Sequence, residues 1–524
     1  MISRVSQRQI YSNLLTGMNS TLSAYMDSYL QSSTQKKVNK PSDDPYGTSQ
    51  IMASNTRLGS LSQYKDNLSM AQGWLEQGES TLGQVQTELS RVITLLQQGA
   101  SGTYSGANRE SAGYEMREIM EEMLSYANTK FNGRYIFAGH KTDSSPYVMT
   151  LGAHSRDAAL ADVKYDVSGG LSQSAIIQFI DEPPTLTPGA SLPLSGQPAF
   201  RYSTDGGDSW HAGSWGGSDT LLLNAASNNT GVEVKLENYA GVSVTVPDPD
   251  AVNETGTWIY VRPAVEYTGD TNDNLVIPSV AQSYPAGAAA SAAGVFKRDV
   301  AVRIDGVDAV SNQVTYSYSL DDGVSWAQGL TAPMPSPPGP GNPVRLPVEG
   351  GFLEIPAVPT AGDQFIIRPH RADIDLHIGS DSSITINNVG LDIFGGLYSL
   401  PFSSGVAFPE PADLNKNLFE VLGRAVAFLE TNSQTGCQET LDFCMELDQH
   451  LSSARATMGA RLNRVEAAGY QVESLTLEEN DRLSSLEDVD LSELMTRLSQ
   501  QQLAYQSVLS SSSMIMRLSL LDYL

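Results

Sequence analysis

The sequence predicts an α+β multidomain chain in which N- and C-terminal helices form a coiled-coil bundle and two tandem β-sandwich-like domains are inserted between them. Three observations predict it. Leu61, Leu68, Leu75, Leu82, Leu89 and Leu96 recur at seven-residue spacing, the seam of a long helix of coiled-coil type. Between residues 145 and 400 the composition shifts to Gly, Pro, Ser, Thr and Val, with short alternating runs such as VEVKL, VSVTV, WIYVRP, VAVRI and FIIRP. Inside that zone YSTDGGDSW, Tyr202 to Trp210, returns as YSLDDGVSW, Tyr318 to Trp326.

Taken in order, Tyr11, Leu14, Met18, Leu22, Tyr25 and Tyr29 step by three or four and define one face of a first helix. The stretch VNKPSDDPYGTSQI, Val38 to Ile51, interrupts it. Pro41 is expected to end that helix, because proline disfavours helix at the residue before it. Ser42, Asp43 and Asp44 are N-cap residue types, and Pro45 suits a first helical position, where no N–H is needed. The alternative, two carboxylates serving as acid and base or as metal ligands, lacks further partners nearby. The leucine seam follows, with Tyr64, Ala71, Val85 and Val92 three residues after successive leucines and Gly78 as the gap. Such a helix from Thr56 to Gln98 would be about 64 Å long. Gly99 and GTYSG end it, and Met116, Ile119, Met123 and Tyr126 mark a shorter helix.

The β zone carries an internal repeat beyond the nonapeptide. QFID (Gln178 to Asp181) answers VRID (Val302 to Asp305), VKL ending at Leu236 answers VRL ending at Leu346, and VRP ending at Pro263 answers IRP ending at Pro369. Constant order with a shrinking offset reads as a duplicated domain whose second copy has shorter loops. The Gly- and Ala-rich residues 269–294 would join the copies. Beyond residue 412 helical stepping resumes at Leu447, Leu451, Ala454, Met458, Leu462 and Val465, LTLEENDRL suggests a bend, and Leu491, Leu494, Leu498, Tyr505, Val508 and Ile515 share a face of the last helix. The expected domains are therefore 1–40 and 485–524 (assembly helices, poorly ordered in a monomer), 41–145 and 401–484 (helical core), 146–270 (first β domain) and 271–400 (second).

With 32 Lys plus Arg against 59 Asp plus Glu, the net charge of −27 repels phosphate backbones, so neither nucleic acid nor an anionic membrane surface is an expected partner. No apolar run is long enough to insert in a membrane, and the N-terminus has no apolar core or small-residue cleavage site of a conventional signal peptide. Cys437 and Cys444, about two helical turns apart, cannot pair with each other and read as buried small side chains. Neither a phosphate loop nor a dinucleotide fingerprint nor HExxH occurs, so no cofactor and no catalytic residue is expected. His370, Asp373, Asp375 and His377 alternate with Ile374, Leu376 and Ile378, as on a half-buried strand, and DTNDN, Asp270 to Asn274, lacks the later residues of a calcium loop.

Two resemblances follow from quoted residues. The S-x-D-x-G-x-S-W pattern of Ser203, Asp205, Gly207, Ser209 and Trp210, repeated in Ser319, Asp321, Gly323, Ser325 and Trp326, resembles the Asp-box, a hairpin element of sialidases that lies away from their catalytic site. More extensively, SDDP at Ser42, NGRYIFAGHKTDSSPY at Asn132 to Tyr147 and the ending LEDVDLSELMTRLSQQQLAYQSVLSSSSMIMRLSLLDYL resemble the flagellin superfamily and, within it, the hook-associated proteins of the FlgL type that join hook to filament. The resemblance spans about 140 residues at the start and about 110 at the end. It implies a secreted flagellar subunit that forms a ring with copies of itself, between a neighbouring hook-associated protein and flagellin. It also implies an export chaperone, a type III export apparatus and an extracellular place on the flagellum. A filament-forming flagellin is the alternative within the superfamily; a glycan-binding or sialidase-like β zone is the alternative outside it.

Overall fold

The computed structural model describes residues 7–521 apart from 162, 181–189, 226–227, 238, 240, 248–255, 273–274, 279–289, 295, 297, 309, 322, 339–341, 370–371 and 399–410. Among the described residues the α-helices are α1 (Gln7–Thr34), α2 (Pro45–Gly99), α3 (Gly106–Ala127), α4 (Gly390–Phe394), α5 (Leu418–Glu430), α6 (Gln434–Glu487) and α7 (Leu491–Leu521). The chain divides into two compact units: one holds the described residues up to 70, 377–383 and those from 464 on, and the other holds 71–376 and 384–463.

Strands fill the space between α3 and α5 in the sequence. β1 (Lys130–Phe131) and β2 (Arg134–Tyr135) form a ribbon. The first sandwich is built from β3 (Tyr147–Ser155), β4 (Lys164–Ser168), β5 (Ala175–Phe179), β6 (Ser191–Pro193), β7 (Phe200–Ser203), β8 (His211–Ala212), β9 (Ser214–Trp215), β10 (Thr220–Ala225), β11 (Asn228–Glu237), β12 (Ser243–Thr245) and β13 (Trp258–Tyr267). The second uses β14 (Leu275–Pro278), β15 (Ser291–Gly294), β16 (Val300–Asp308), β17 (Gln313–Ser319), β18 (Ala327–Pro333), β19 (Val344–Val348), β20 (Gly351–Ile355) and β21 (Gln364–Arg368). β22 (Asp375–His377) pairs with β23 (Ser383–Thr385), and β24 (Leu397–Tyr398) lies parallel to β13.

Each sandwich buries one core between two sheets. In the first, Ile177, Tyr202 and Val261 face Val167, Leu221 and Val234; in the second, Val302, Tyr316 and Ile367 face Val344, Leu346 and Leu353. The larger sheets of the two sandwiches share one neighbour order, β13-β5-β7-β8 and β21-β16-β17-β18. Val261 faces Ala175 as Ile367 faces Val300, so VRP and IRP correspond. Two other equations fail. Tyr202 pairs with Ile177 and Tyr318 with Val302, which makes QFID one residue out of step with VRID. Such a slip turns every side chain to the other face of the sheet. VKL lies in β11, between β4 and β10, whereas VRL lies in the edge strand β19. A three-residue alternating match recurs in any strand and cannot fix which strand it is.

The nonapeptides form the same hairpin turn twice. In the second, Asp321 accepts from Ser319 Oγ at 2.8 Å, Ser325 N at 2.8 Å and Ser325 Oγ at 2.5 Å, Gly323 takes φ +91°, and its amide donates to Ser319 Oγ at 2.9 Å. Asp205 and Ser209 repeat this with Ser203 and Gly207. An arginine covers each tryptophan, but from opposite strands: Arg201 of β7 lies 4.3 Å from the Trp210 ring centre, and Arg303 of β16 4.8 Å from that of Trp326. The hydrogen bonds from Ser325 hold the Asp321 carboxyl down at about 2. A depressed carboxylate stabilises above its unfolded value, about 3.9, and the contribution is lost as pH falls through the folded one. Acid titration of the full chain should therefore loosen the second sandwich between about pH 4 and 2, and Asp321→Asn should remove that part of the curve, read by near-ultraviolet circular dichroism.

In the helices, all six leucines of the seam are buried. Its gap is filled from α6: a Cβ on Gly78 would lie 3.0 Å from Met458 Sδ. Cys437 and Cys444 are buried in α6 and unbridged, and burial pushes the Cys444 thiol up to about 12. LTLEENDRL does not bend the chain. It lies inside α6, which runs unbroken to Glu487, and it contains no Gly or Pro to stop a helix.

The passage from Asn132 to Tyr147 is a joint between α3 and the first sandwich. Asn132 (φ +49°) and Gly133 (φ +80°) make the tight turn between β1 and β2. Ile136, Phe137 and Ala138 are buried, with the Phe137 ring edge-on to Phe394 at 4.9 Å. Tyr147 sits 5.0 Å from both the Tyr267 and Phe419 rings, while the Asn128 side chain bonds its backbone N–H and C=O at 3.1 and 3.0 Å. Asp375 accepts from Thr385 Oγ1 at 2.6 Å across the β22–β23 pair; His370 and the end of DTNDN lie outside the described residues.

Candidate assembly interface on the chain-end unit

The unit that gathers both chain ends is built from α1, α7 and the outer parts of α2 and α6. α1 stops at Thr34 rather than at Pro41, because Gln35 takes φ +60° and the next residues pair elsewhere. Lys36 bridges Asp488, Lys37 N donates to Glu487 O at 2.6 Å, and Lys36 forms an ion pair with Glu487. Those contacts fix the turn after α1 to the joint between α6 and α7. Asp490 opens α7, accepting from Ser492 N at 2.8 Å and Glu493 N at 3.2 Å.

The stretch between α1 and α2 is a turn followed by a helix start. Asp43 Oδ2 accepts from Lys40 N at 2.9 Å and Asn39 N at 3.2 Å. Asp44 Oδ1 accepts from Gly47 N at 2.9 Å, and Pro45 is the first residue of α2. Ser42 is exposed in the turn between. Asp44→Ala should cost this unit about 1 kcal/mol, the usual loss of an N-cap, as a lower urea midpoint with an unchanged slope.

α1 packs on α7. Tyr25 stacks on Tyr505 with ring centres 6.3 Å apart and planes 5° apart, and Ser28, Leu494 and Ser512 are buried. Leu498, Tyr505 and Val508 are half-buried. Leu491 is exposed at the first turn of α7, and the Ile515 side chain lies outside the described residues. Leu14, Met18, Leu22 and Tyr25 are half-buried, but Tyr29 at 58% exposure faces away. Alongside Tyr29, α1 exposes Leu15, Met26 and Leu30, and α7 exposes Met495, Leu503 (67%), Leu509 and Met514 (65%). In the same unit Tyr46 (75%) and Met52 of α2 and Tyr470, Leu475 and Leu477 of α6 are uncovered. Stepping along the sequence reveals one stripe per helix; these residues are a second apolar set. Nothing in their spacing separates the stripe that closes the unit from the one it leaves open.

Residues 5–142 match the bacterial flagellin N-terminal helical region, and residues 442–524 match the bacterial flagellin C-terminal helical region. Both helical ends are thus similar to the terminal helical regions of bacterial flagellins. The chain is also 32% identical over 152 residues to flagellar hook-associated protein 3 of Salmonella typhimurium, covering 29% of this chain and 48% of that protein. It is 31% identical over 166 residues to the Escherichia coli protein of that name, covering 32% and 52%. A flagellar filament 41 kDa core protein of Borreliella burgdorferi is 32% identical over 92 residues, covering 18% and 27%. The chain thus spans about half the length of the hook-associated relatives it matches. The matched regions contain the helices that expose the second apolar set, and no helix among the described residues is long and apolar enough to cross a membrane.

Proposed function

We propose that this chain is a structural subunit of a bacterial flagellum, placed where the hook meets the filament. The observation that carries the reading is the uncovered apolar set on helices of flagellin type. Amphipathic helices gain stability by burying such side chains in neighbours, so copies of the same chain are the first partners, arranged as a ring. A neighbouring hook-associated protein and flagellin would cover the two sides of that ring. The terminal segments 1–40 and 485–524 would order fully only on assembly, and the sandwiches would face outward. Export through the flagellar type III apparatus, with a chaperone near the C-terminus, is the route this role requires. The role is structural and uses no catalytic residue or cofactor.

The longer similarity to hook-associated proteins, together with NGRYIFAG, favours the junction. The shorter match to a filament core protein supports a filament-forming flagellin as the second reading. An antibody against residues 150–400 applied to intact flagella, imaged by electron microscopy, separates the two. One band between hook and filament supports the junction. Label along the filament makes the chain a filament subunit, and an unlabelled flagellum overturns both.

A further inference from the structure

We propose that the cavity where the first sandwich meets α5 and α6 binds a neutral saccharide ring. Its volume of about 910 Å³ is that of a small-molecule site. Trp258, half-buried at the start of β13, supplies the aromatic wall, backed by the buried Tyr260 ring 6.3 Å away. Beside it stand two oriented guanidinium–carboxylate pairs. Arg156 Nη2 donates to Glu439 Oε1 at 2.6 Å, and Arg424 Nε donates to Glu420 Oε1 at 2.9 Å. A sugar ring matches such a site because its C–H face packs on an aromatic surface while its hydroxyl rim both donates and accepts.

Two further wall residues hold polar groups that the fold leaves unsatisfied. His154 Nε2 and the Tyr165 hydroxyl are buried and have no hydrogen-bond partner. His154 Nδ1 accepts from Arg262 Nε at 3.0 Å, so the ring proton is on Nε2. Burial raises the Tyr165 hydroxyl above its ordinary value, which keeps it protonated. Both are therefore donors that lack an acceptor, and a small side-chain turn into the cavity would bring either one to a ligand oxygen. The charge of the wall selects among sugars. Arg156 and Arg424 stand against Asp157, Glu420, Glu439 and Asp442, an excess of two carboxylates, which disfavours an acidic sugar.

Saturation-transfer NMR on the full chain tests this, with glucose, galactose, N-acetylglucosamine and N-acetylneuraminic acid as probes. Transfer from at least one neutral sugar is expected, lost in Trp258→Ala and about tenfold weaker in affinity in Tyr165→Phe. The tyrosine variant should melt no lower than the parent, since it deletes an unsatisfied buried hydroxyl, so weaker binding there is not unfolding. Absence of transfer from every neutral sugar, transfer unchanged in both variants, or strongest transfer from the acidic sugar would each overturn the proposal.

Discussion

Glu420→Ala is expected to destabilise the larger unit by about 3–5 kcal/mol, because it leaves a buried charge without its partner. Glu420 lies in the first turn of α5, where Asn417 caps the helix and Glu420 N donates to Asn417 Oδ1 at 3.0 Å. Its carboxylate pairs with Arg262 of β13 and with Arg424 one turn on, and Arg262 is 1% exposed. Removing the acid strands a buried guanidinium with only His154 Nδ1 and Pro263 O as partners. The double variant Arg262→Met, Glu420→Leu should lose much less than the single one, because no unpaired charge stays inside. Urea unfolding followed by tryptophan fluorescence reads both. A single variant within 1 kcal/mol of the parent would show that water reaches the pair.

The same cluster sets an acid limit. Burial, then the charges of Arg424 and Arg262, hold the His154 imidazole well below its ordinary value, so it stays neutral in the fold. The unfolded chain binds that proton from about pH 6.5 downward, and stability must fall as pH drops below that point. Burial also pushes the Glu420 carboxyl up, but the Arg262 and Arg424 charges more than offset it, so a second loss begins below about pH 4.3. Both signs agree: acid destabilises, in two steps, and His154→Gln should remove the first.

The second large effect is on assembly. A chain truncated after Ser484 lacks α7, and with it the ring that stacks on Tyr25 and the partner of Lys36 at Asp488. Its sandwiches should keep their unfolding transition, because the described residues of both sandwich cores fall between Leu151 and Ile367, far from α7 in the sequence. Incorporation into flagella should be abolished. A milder variant, Met26→Ser with Tyr29→Ser, Leu503→Ser and Met514→Ser, removes exposed side chains and should cost the monomer no more than about 2 kcal/mol, about 0.5 for each substitution, while cutting incorporation at least tenfold. Normal incorporation of either variant, scored by immunoblot of sheared flagella, would remove the terminal helices from the assembly surface.

The sequence by itself determined the class of this fold, because its strongest signals are periodic and local. A seven-residue leucine repeat marks a helix seam, alternating runs punctuated by Gly and Pro mark strands, and a repeated nonapeptide points to two like hairpins. The Asp44 and Pro45 helix start is equally local, since a cap involves residues three apart. Tertiary structure decided what depends on partners far along the chain. The helix α1 ends at Thr34 because Lys36 and Lys37 pair with residues near 488, which no pattern around Pro41 could reveal. The register of the repeat followed from which strand faces which, where a slip of one residue inverts the surface. α5 is buried on almost every side, although its sequence carries Glu420 and Arg424 among the apolar residues. That Glu420 within it meets Arg262, 158 residues away, is a fact of packing. Only the folded unit distinguishes the apolar stripes that close it from those it leaves uncovered.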